Sequence, residues 1–195
     1  MSYADAVARI QAIESLVAAP VQTPAPAAAA PASFAAALAD ASGVSSIAAT
    51  TPTGGRLVAI AQAEVGQAED PPGSNDGPRI ADYRTAVAGA VPGEPWCADF
   101  VSWVAAQAGV PLGNAGEGFS SVAALTDWAG STGRLLPANA PAQPGDLVLF
   151  GDRHVGLVES VEPDGTLDTI EGNDGDAVSR ATHAPGSWTG LVRLG

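Results

Sequence analysis

Two periodicities share this chain. From about residue 55 to residue 129 the apolar positions recur every three or four residues, the spacing of one helix face. Beyond residue 133 they alternate or run together in short blocks, as in strands. Leu57, Ile60, Ala61 and Glu64 fall in register for a helix over 55–66, which Gly66 ends. Pro78 opens a second short helix with Ile80 and Tyr83 on one side. The strongest helical pattern is Cys97–Ala108, where Phe100, Val101, Val104 and Ala108 form one stripe and Gly109 and Pro111 stop it. Ser120–Ala129 reads as a further helix carrying Leu125 and Trp128. Strands are expected at Asp146–Phe150, Val155–Val161, Leu167–Glu171, Ala177–Thr182 and Trp188–Leu194. Glu162-Pro163-Asp164-Gly165 is a hairpin turn between the second and third of these. Helices first and a meandering antiparallel sheet second predict an α+β domain over 54–195.

The segments before residue 54 follow another logic. Val7, Ile10, Ile13 and Leu16 or Val17 make an amphipathic helix over 1–17, with Ser2 placed to cap it. Residues 18–53 hold 15 Ala and 5 Pro and read as a semi-rigid linker, with room for a short helix at 33–41 around Phe34 and Leu38. Met1–Ala19 carries Asp5, Arg9 and Glu14 and lacks a cationic start followed by an apolar block, so it is not expected to be a cleaved signal.

Charge narrows the function classes. The 195 residues contain 8 Lys+Arg, all of them Arg, against 21 Asp+Glu, for a net charge of −13. That balance argues against nucleic acid as a partner, since phosphate binding needs clustered cations. It argues equally against docking on an anionic membrane, and no apolar run is long enough to insert into one. A single cysteine, Cys97, excludes an intrachain disulfide and a multi-cysteine metal site.

Cys97 is nevertheless where chemistry is expected. Free cysteine is commonly a small buried hydrophobe. This one opens a helix, where unpaired N–H groups and the helix dipole favour a thiolate and can hold an oxyanion. Gly93-Glu94-Pro95-Trp96 reads as a turn presenting it at the surface. A thiol nucleophile needs a base, and His154 stands at a strand start, where a helix N-terminus can approach. His183, near another strand end, reads as an exposed loop histidine. The base needs a polar group to fix its tautomer. Glu171 closes the strand that the Glu162–Gly165 hairpin lays beside His154, and Asn173 follows at the same end. Glu159, Glu162, Asp164, Asp168, Asp174 and Asp176 read as solvated charges. The loops Glu69–Asp76 and Gly172–Asp176 offer oxygens for a hard cation but lack the spacing of a calcium loop.

Four stretches together resemble a known family: Trp96-Cys97-Ala98-Asp99-Phe100-Val101-Ser102-Trp103, Pro144-Gly145-Asp146-Leu147-Val148-Leu149-Phe150, His154-Val155-Gly156-Leu157-Val158-Glu159 and Ile170-Glu171-Gly172-Asn173. They are similar to the CHAP domain, the cysteine, histidine-dependent amidohydrolases/peptidases related to the NlpC/P60 group. The loop Pro71-Pro72-Gly73-Ser74-Asn75 with Gly77-Pro78 and Tyr83 adds to the resemblance, which spans about 55–194. It implies a papain-like fold, with N-terminal helices packed on a five- to six-stranded antiparallel sheet behind a flexible helix and linker. It also implies hydrolysis of a peptidoglycan amide bond, by an N-acetylmuramoyl-L-alanine amidase or a stem or cross-bridge endopeptidase. Carried over, Cys97 is the nucleophile, His154 the general base, Glu171 the residue orienting it and Asn173 a further polar member. The implied mechanism needs no metal or cofactor. The loops Pro71–Pro78 and Gly113–Ser121 are expected to choose the bond, with Asn75, Trp96 and Phe119 binding substrate. The first residues, Met1 to Ile13, with the linker and Ser33-Phe34-Ala35, are similar to the start of flagellum-linked peptidoglycan hydrolases of high-GC Gram-positive bacteria. That likeness implies action at the wall, outside the cytoplasm, after flagellar-type export or delivery on a phage particle, with residues 1–42 docking on a flagellar or phage structural protein. Two other readings stay open: a catalytically silent wall-binding or scaffold module, and an enzyme for a different amide.

Overall fold

The computed structural model describes residues 50–195. The expected N-terminal helix and all but the last residues of the linker lie outside the described residues. Four helices come first: α1 (Pro52–Glu64), α2 (Pro78–Arg84), α3 (Cys97–Gln107) and α4 (Val122–Ser131). Six strands follow: β1 (Leu135–Pro137), β2 (Leu147–Phe150), β3 (His154–Val161), β4 (Leu167–Asp174), β5 (Ala177–His183) and β6 (Gly190–Val192). All pairings are antiparallel, in the order β1-β6-β2-β3-β4-β5. The α+β architecture expected from the two periodicities is the one observed.

Helix starts follow capping chemistry. Thr51 accepts the Gly54 N–H at 2.9 Å and Pro52 supplies a helical φ without an orphan N–H, so α1 begins inside the stretch that composition assigned to the linker. Ser121 caps α4 through the Ala124 N–H. Glu64, at the end of α1, is buried. It accepts Arg79 Nε and Nη2 at 2.7 and 2.6 Å and the Tyr83 hydroxyl at 2.7 Å, which fastens α1 to α2. Those three donors outweigh the cost of burying the carboxylate.

Helix α3 is the centre of the molecule. Ala98, Phe100, Val101, Val104 and Ala105 are fully buried, which accounts for its apolar character on nearly every side. It packs on the sheet face formed by Leu147, Leu149, Val155, Leu157, Ile170, Val178 and Val192. The opposite face carries a smaller cluster of Val148, Val158, Leu167, Trp188 and Leu191. Successive strand residues point to opposite faces, so His154, Gly156 and Val158 of β3, with Thr169 and Glu171 of β4, fall on the face away from α3.

The β3–β4 hairpin forms as its turn residues dictate. Gly165 N–H donates to Glu162 O, and Asp164 accepts the Thr166 N–H, each at 2.9 Å. Three differences from the sequence expectation have local causes. Strand β1 has only three residues and ends in proline, too short for alternation to register. Strand β6 is narrower than 188–194, because Trp188 turns into the second cluster and its indole donates to Ala138 O. Strand β4 runs on past Glu171 to Asp174, with a bulge between those residues. Among the described residues no helix is long and apolar enough to cross a membrane.

Candidate active site

Cys97 is the first residue of α3, with Trp96 as its N-cap. The Gly93–Pro95 turn is exposed as expected, but Cys97 itself is not presented at the surface: it is 4% exposed. Its Sγ lies 3.9 Å from Arg153 O, so the thiol sits over the residue that leads into β3. That places the thiol beside His154, the next residue. His154 is the first residue of β3, and this end position lets its ring meet a thiol coming from the other side of the sheet.

His154 Nε2 is 2.6 Å from Glu171 Oε2. With Nε2 taken, Nδ1 is the nitrogen left for Cys97. Glu171 is 3% exposed and lies across β3 where Gly156 has no side chain. A Cβ on Gly156 would come within 2.8 Å of Glu171 Cγ. The glycine is thus a gap that the carboxylate fills. Gly172, next to Glu171, serves the other face: a Cβ there would meet Phe100 Cβ at 2.6 Å, so it sets how closely β4 approaches the cysteine helix.

The electrostatics follow from these contacts. Burial works to strip the proton from His154, but hydrogen bonds and charge from Cys97 and Glu171 outweigh it, and its pKa is pushed up to about 10 from 6.5. Burial would likewise neutralise Glu171. Donors from His154, Thr169 and His183 prevail, and its pKa is lowered to about 2 from 4.5. The arrangement favours a charged imidazole held by a charged carboxylate.

The second histidine needs correction. His183 is not an exposed loop residue. It ends β5, its side chain is 23% exposed, and its Nε2 is 2.6 Å from Glu171 Oε1. The same oxygen accepts the Thr169 hydroxyl at 2.5 Å. Glu171 therefore lies between two imidazoles, and Phe150 packs near both rings, with centroids 5.8 Å from His154 and 4.4 Å from His183. Sequence reading missed His183 because it was placed beyond the strand. Extending β5 by one residue puts it at an alternate position with Ala181 and Ser179, a signal available in the pattern.

Asn173 is not brought onto His154. It sits in the β4 bulge with φ at 59°, and its amide donates to Asn75 Oδ1 at 2.9 Å and Glu69 Oε1 at 3.2 Å. The bulge turns it away from the face its parity would give. Trp96 is also corrected. It is fully buried, with its indole N–H donating to Glu69 Oε1 at 3.0 Å, so it braces the site from inside and has no surface for substrate. Asn75, half-buried, donates its N–H to Glu69 Oε2 at 2.8 Å, and its carbonyl accepts from Arg84. The buried Glu69 thus organises the 69–78 loop with donors from this chain.

Phe119 is half-buried against Trp128, with ring centroids 5.6 Å apart. Its loop is stitched to α3: Ser102 Oγ bridges the Phe119 N–H and carbonyl, and Ser120 Oγ donates to Asp99 Oδ1 at 2.5 Å. Burial raises the pKa of Asp99. Two expected surface charges are also partnered: Glu159 pairs with Arg180, and Asp168 accepts from Ser160 and Thr182. Among the described residues no group of three or more His, Cys, Asp or Glu is placed to hold a metal ion.

No curated protein matches the chain. A solved structure of the peptidoglycan hydrolase RipB from Mycobacterium tuberculosis is similar at 18% identity and a TM-score of 0.45, covering 90% of this chain and 95% of that one. The stretch that begins ahead of Cys97, takes in His154 and Glu171 and ends at Asn173 is the one with a family match: residues 89–173 match the model of the CHAP domain.

Proposed function

We propose that this protein hydrolyses an amide bond of peptidoglycan through a thioester on Cys97. The observation that carries the reading is the His154 ring bonded to the buried Glu171 carboxylate at 2.6 Å, one residue on from the Arg153 carbonyl that lies 3.9 Å from the Cys97 thiol. The CHAP match over 89–173 supports wall peptide or amide as the substrate class.

The thiol proton passes to His154, and the thiolate attacks the amide carbon to give a tetrahedral oxyanion. The first N–H groups of α3 have no intrahelical acceptor, so that of Cys97 is free to receive this oxygen. Collapse breaks the C–N bond, and His154 returns its proton to the leaving amine. Water, deprotonated by the now neutral His154, attacks the thioester, releasing the acid and restoring the thiol. Glu171 stays ionised throughout, fixing the tautomer and balancing the imidazolium. Asn75 and Phe119 are the side chains proposed to face the substrate, from the loops on either side of α3. Asn173 acts indirectly in this scheme, by holding Asn75.

Digestion of purified peptidoglycan tests the reading. Free stems with intact glycan strands identify an amidase; cut stems or bridges identify an endopeptidase. Cys97→Ser is expected to lose turnover by roughly a thousandfold or more with an unchanged fold. Retained cleavage by that variant rejects the mechanism. A folded protein that cleaves no wall type points to a silent binding module.

A charge of −13 opposes adhesion to an anionic wall, so delivery falls to a docking segment. Residues 1–42 are proposed for this, with a flagellar or phage structural protein as partner and the outside of the cell as the place of action. A chain lacking them should still cut soluble muropeptides.

A further inference from the structure

Glu171 is held from both sides, and only one side belongs to the mechanism just given. Oε2 faces His154 at 2.6 Å; Oε1 receives Thr169 at 2.5 Å and His183 at 2.6 Å. The carboxylate is 3% exposed and lies over Gly156, so its orientation is set by these donors and not by water. His183 sits at the end of β5, across the ladder from Leu167, with its ring packed on Phe150 at 4.4 Å. Nothing in the β4–β5 pairing requires a histidine there; an apolar residue would complete the packing on Phe150 equally well.

We propose that His183 is a positioning residue of the Cys97–His154 site, acting through Glu171. Its Nε2–H holds Oε1, so that Oε2 stays aimed at His154 Nε2 and the carboxylate stays ionised. The role assigned is that of a hydrogen-bond donor to Oε1; a full positive charge there would compete with His154 for the carboxylate. Among the described residues Glu171 on β4 is the ionisable group bonded to the His183 ring, and His154 on β3 binds the other oxygen of that carboxylate. Asp168 of β4 is committed to Ser160 and Thr182.

This inference rests on the thiol–imidazole reading of the site, so its test needs one readout that requires no substrate. We would measure alkylation of Cys97 by iodoacetate, an anion that the imidazolium attracts, from pH 4 to pH 11 in the full chain, beside peptidoglycan cleavage. The variants are His183→Phe, which keeps a ring on Phe150 without a donor, and His183→Gln, which restores an N–H. In His183→Phe the alkaline limb of fast alkylation, where His154 loses its proton, is expected to move down by about one pH unit. The turnover number should fall about tenfold with KM little changed. His183→Gln should recover most of both. Two results overturn the proposal: a wild-type pH profile and turnover number in folded His183→Phe, or an alkaline limb that moves up, which would make His183 a competing cation. Should His183→Phe fail to fold, His183→Gln against His183→Leu carries the same comparison. If no variant, wild type included, cleaves peptidoglycan but the alkylation limb still shifts, the positioning role stands and the substrate reading falls.

Discussion

Two of the buried carboxylates, Glu69 near the start of α3 and Glu171 on the opposite face of the sheet, have partners that differ in kind. Glu171 receives two imidazoles and a hydroxyl. Glu69 receives an indole N–H from Trp96, a backbone N–H from Asn75 and an amide from Asn173. Each acceptor set is well filled, as a buried carboxylate requires. Only the Glu171 set contains imidazoles, side chains that can gain or lose a proton. Glu69 anchors a loop and a tryptophan, whereas Glu171 can pass an electrostatic effect through His154 to the thiol. Burial and hydrogen-bond count alone would rank the two alike; the titratability of the donors separates structural brace from chemical part.

The sharpest way to break this comparison is to neutralise each carboxylate in turn. Glu171→Gln keeps the shape and removes the charge. Turnover should fall roughly a hundredfold, because the imidazolium loses its counter-charge, while circular dichroism stays native. A variant with near-normal turnover would place Glu171 with Glu69 as a brace. Glu69→Leu should do the reverse. It leaves the Trp96 indole, the Asn75 N–H and the Asn173 amide short of an acceptor, at a cost of about 2–4 kcal/mol in urea unfolding. Activity per folded molecule should change far less than in Glu171→Gln. A variant of normal stability that is inactive would make Glu69 a member of the site.

The smallest expected effect is in the pH dependence of stability. His154 keeps its proton to about pH 10 when folded and to about 6.5 when unfolded. Its pairing therefore stabilises fully below 6.5, and this contribution drains away as the pH rises to 10. Glu171 runs the other way: its contribution is present above 4.5 and is lost as the pH falls towards 2. Urea midpoints across that range should sag at both ends, and His154→Gln should flatten the alkaline side. Glu69, with no titrating partner, should leave that alkaline slope unchanged when replaced by Leu.

Much of the site is legible in the sequence, for local reasons. A helix stripe opening on Cys97, a strand opening on His154 and a tight Asp-Gly turn are set by residues a few positions apart. The turn then forces β3 beside β4, so the nearness of Glu171 and His154 follows from chain connectivity. The burial of Cys97 is not legible for the opposite reason, since the carbonyl that meets its thiol belongs to Arg153, over fifty residues away. Asn173 and His183 exchanged expectations on the same ground. A bulge with positive φ turns Asn173 towards the 69–78 loop, and the β4–β5 register carries His183 to the carboxylate.

By itself, then, the sequence determined most of the described elements, their order and the nearness of His154 and Glu171, because hydrophobic period and turn chemistry act over short stretches of chain. Only the tertiary structure decided which donors Glu171 and Glu69 would each receive, that Gly156 would leave room for one of them, and that Trp96 would face inward. Those outcomes depend on strand register and on the closeness of α3 to β4. No local pattern encodes either one; both are fixed when the sheet closes against the helix.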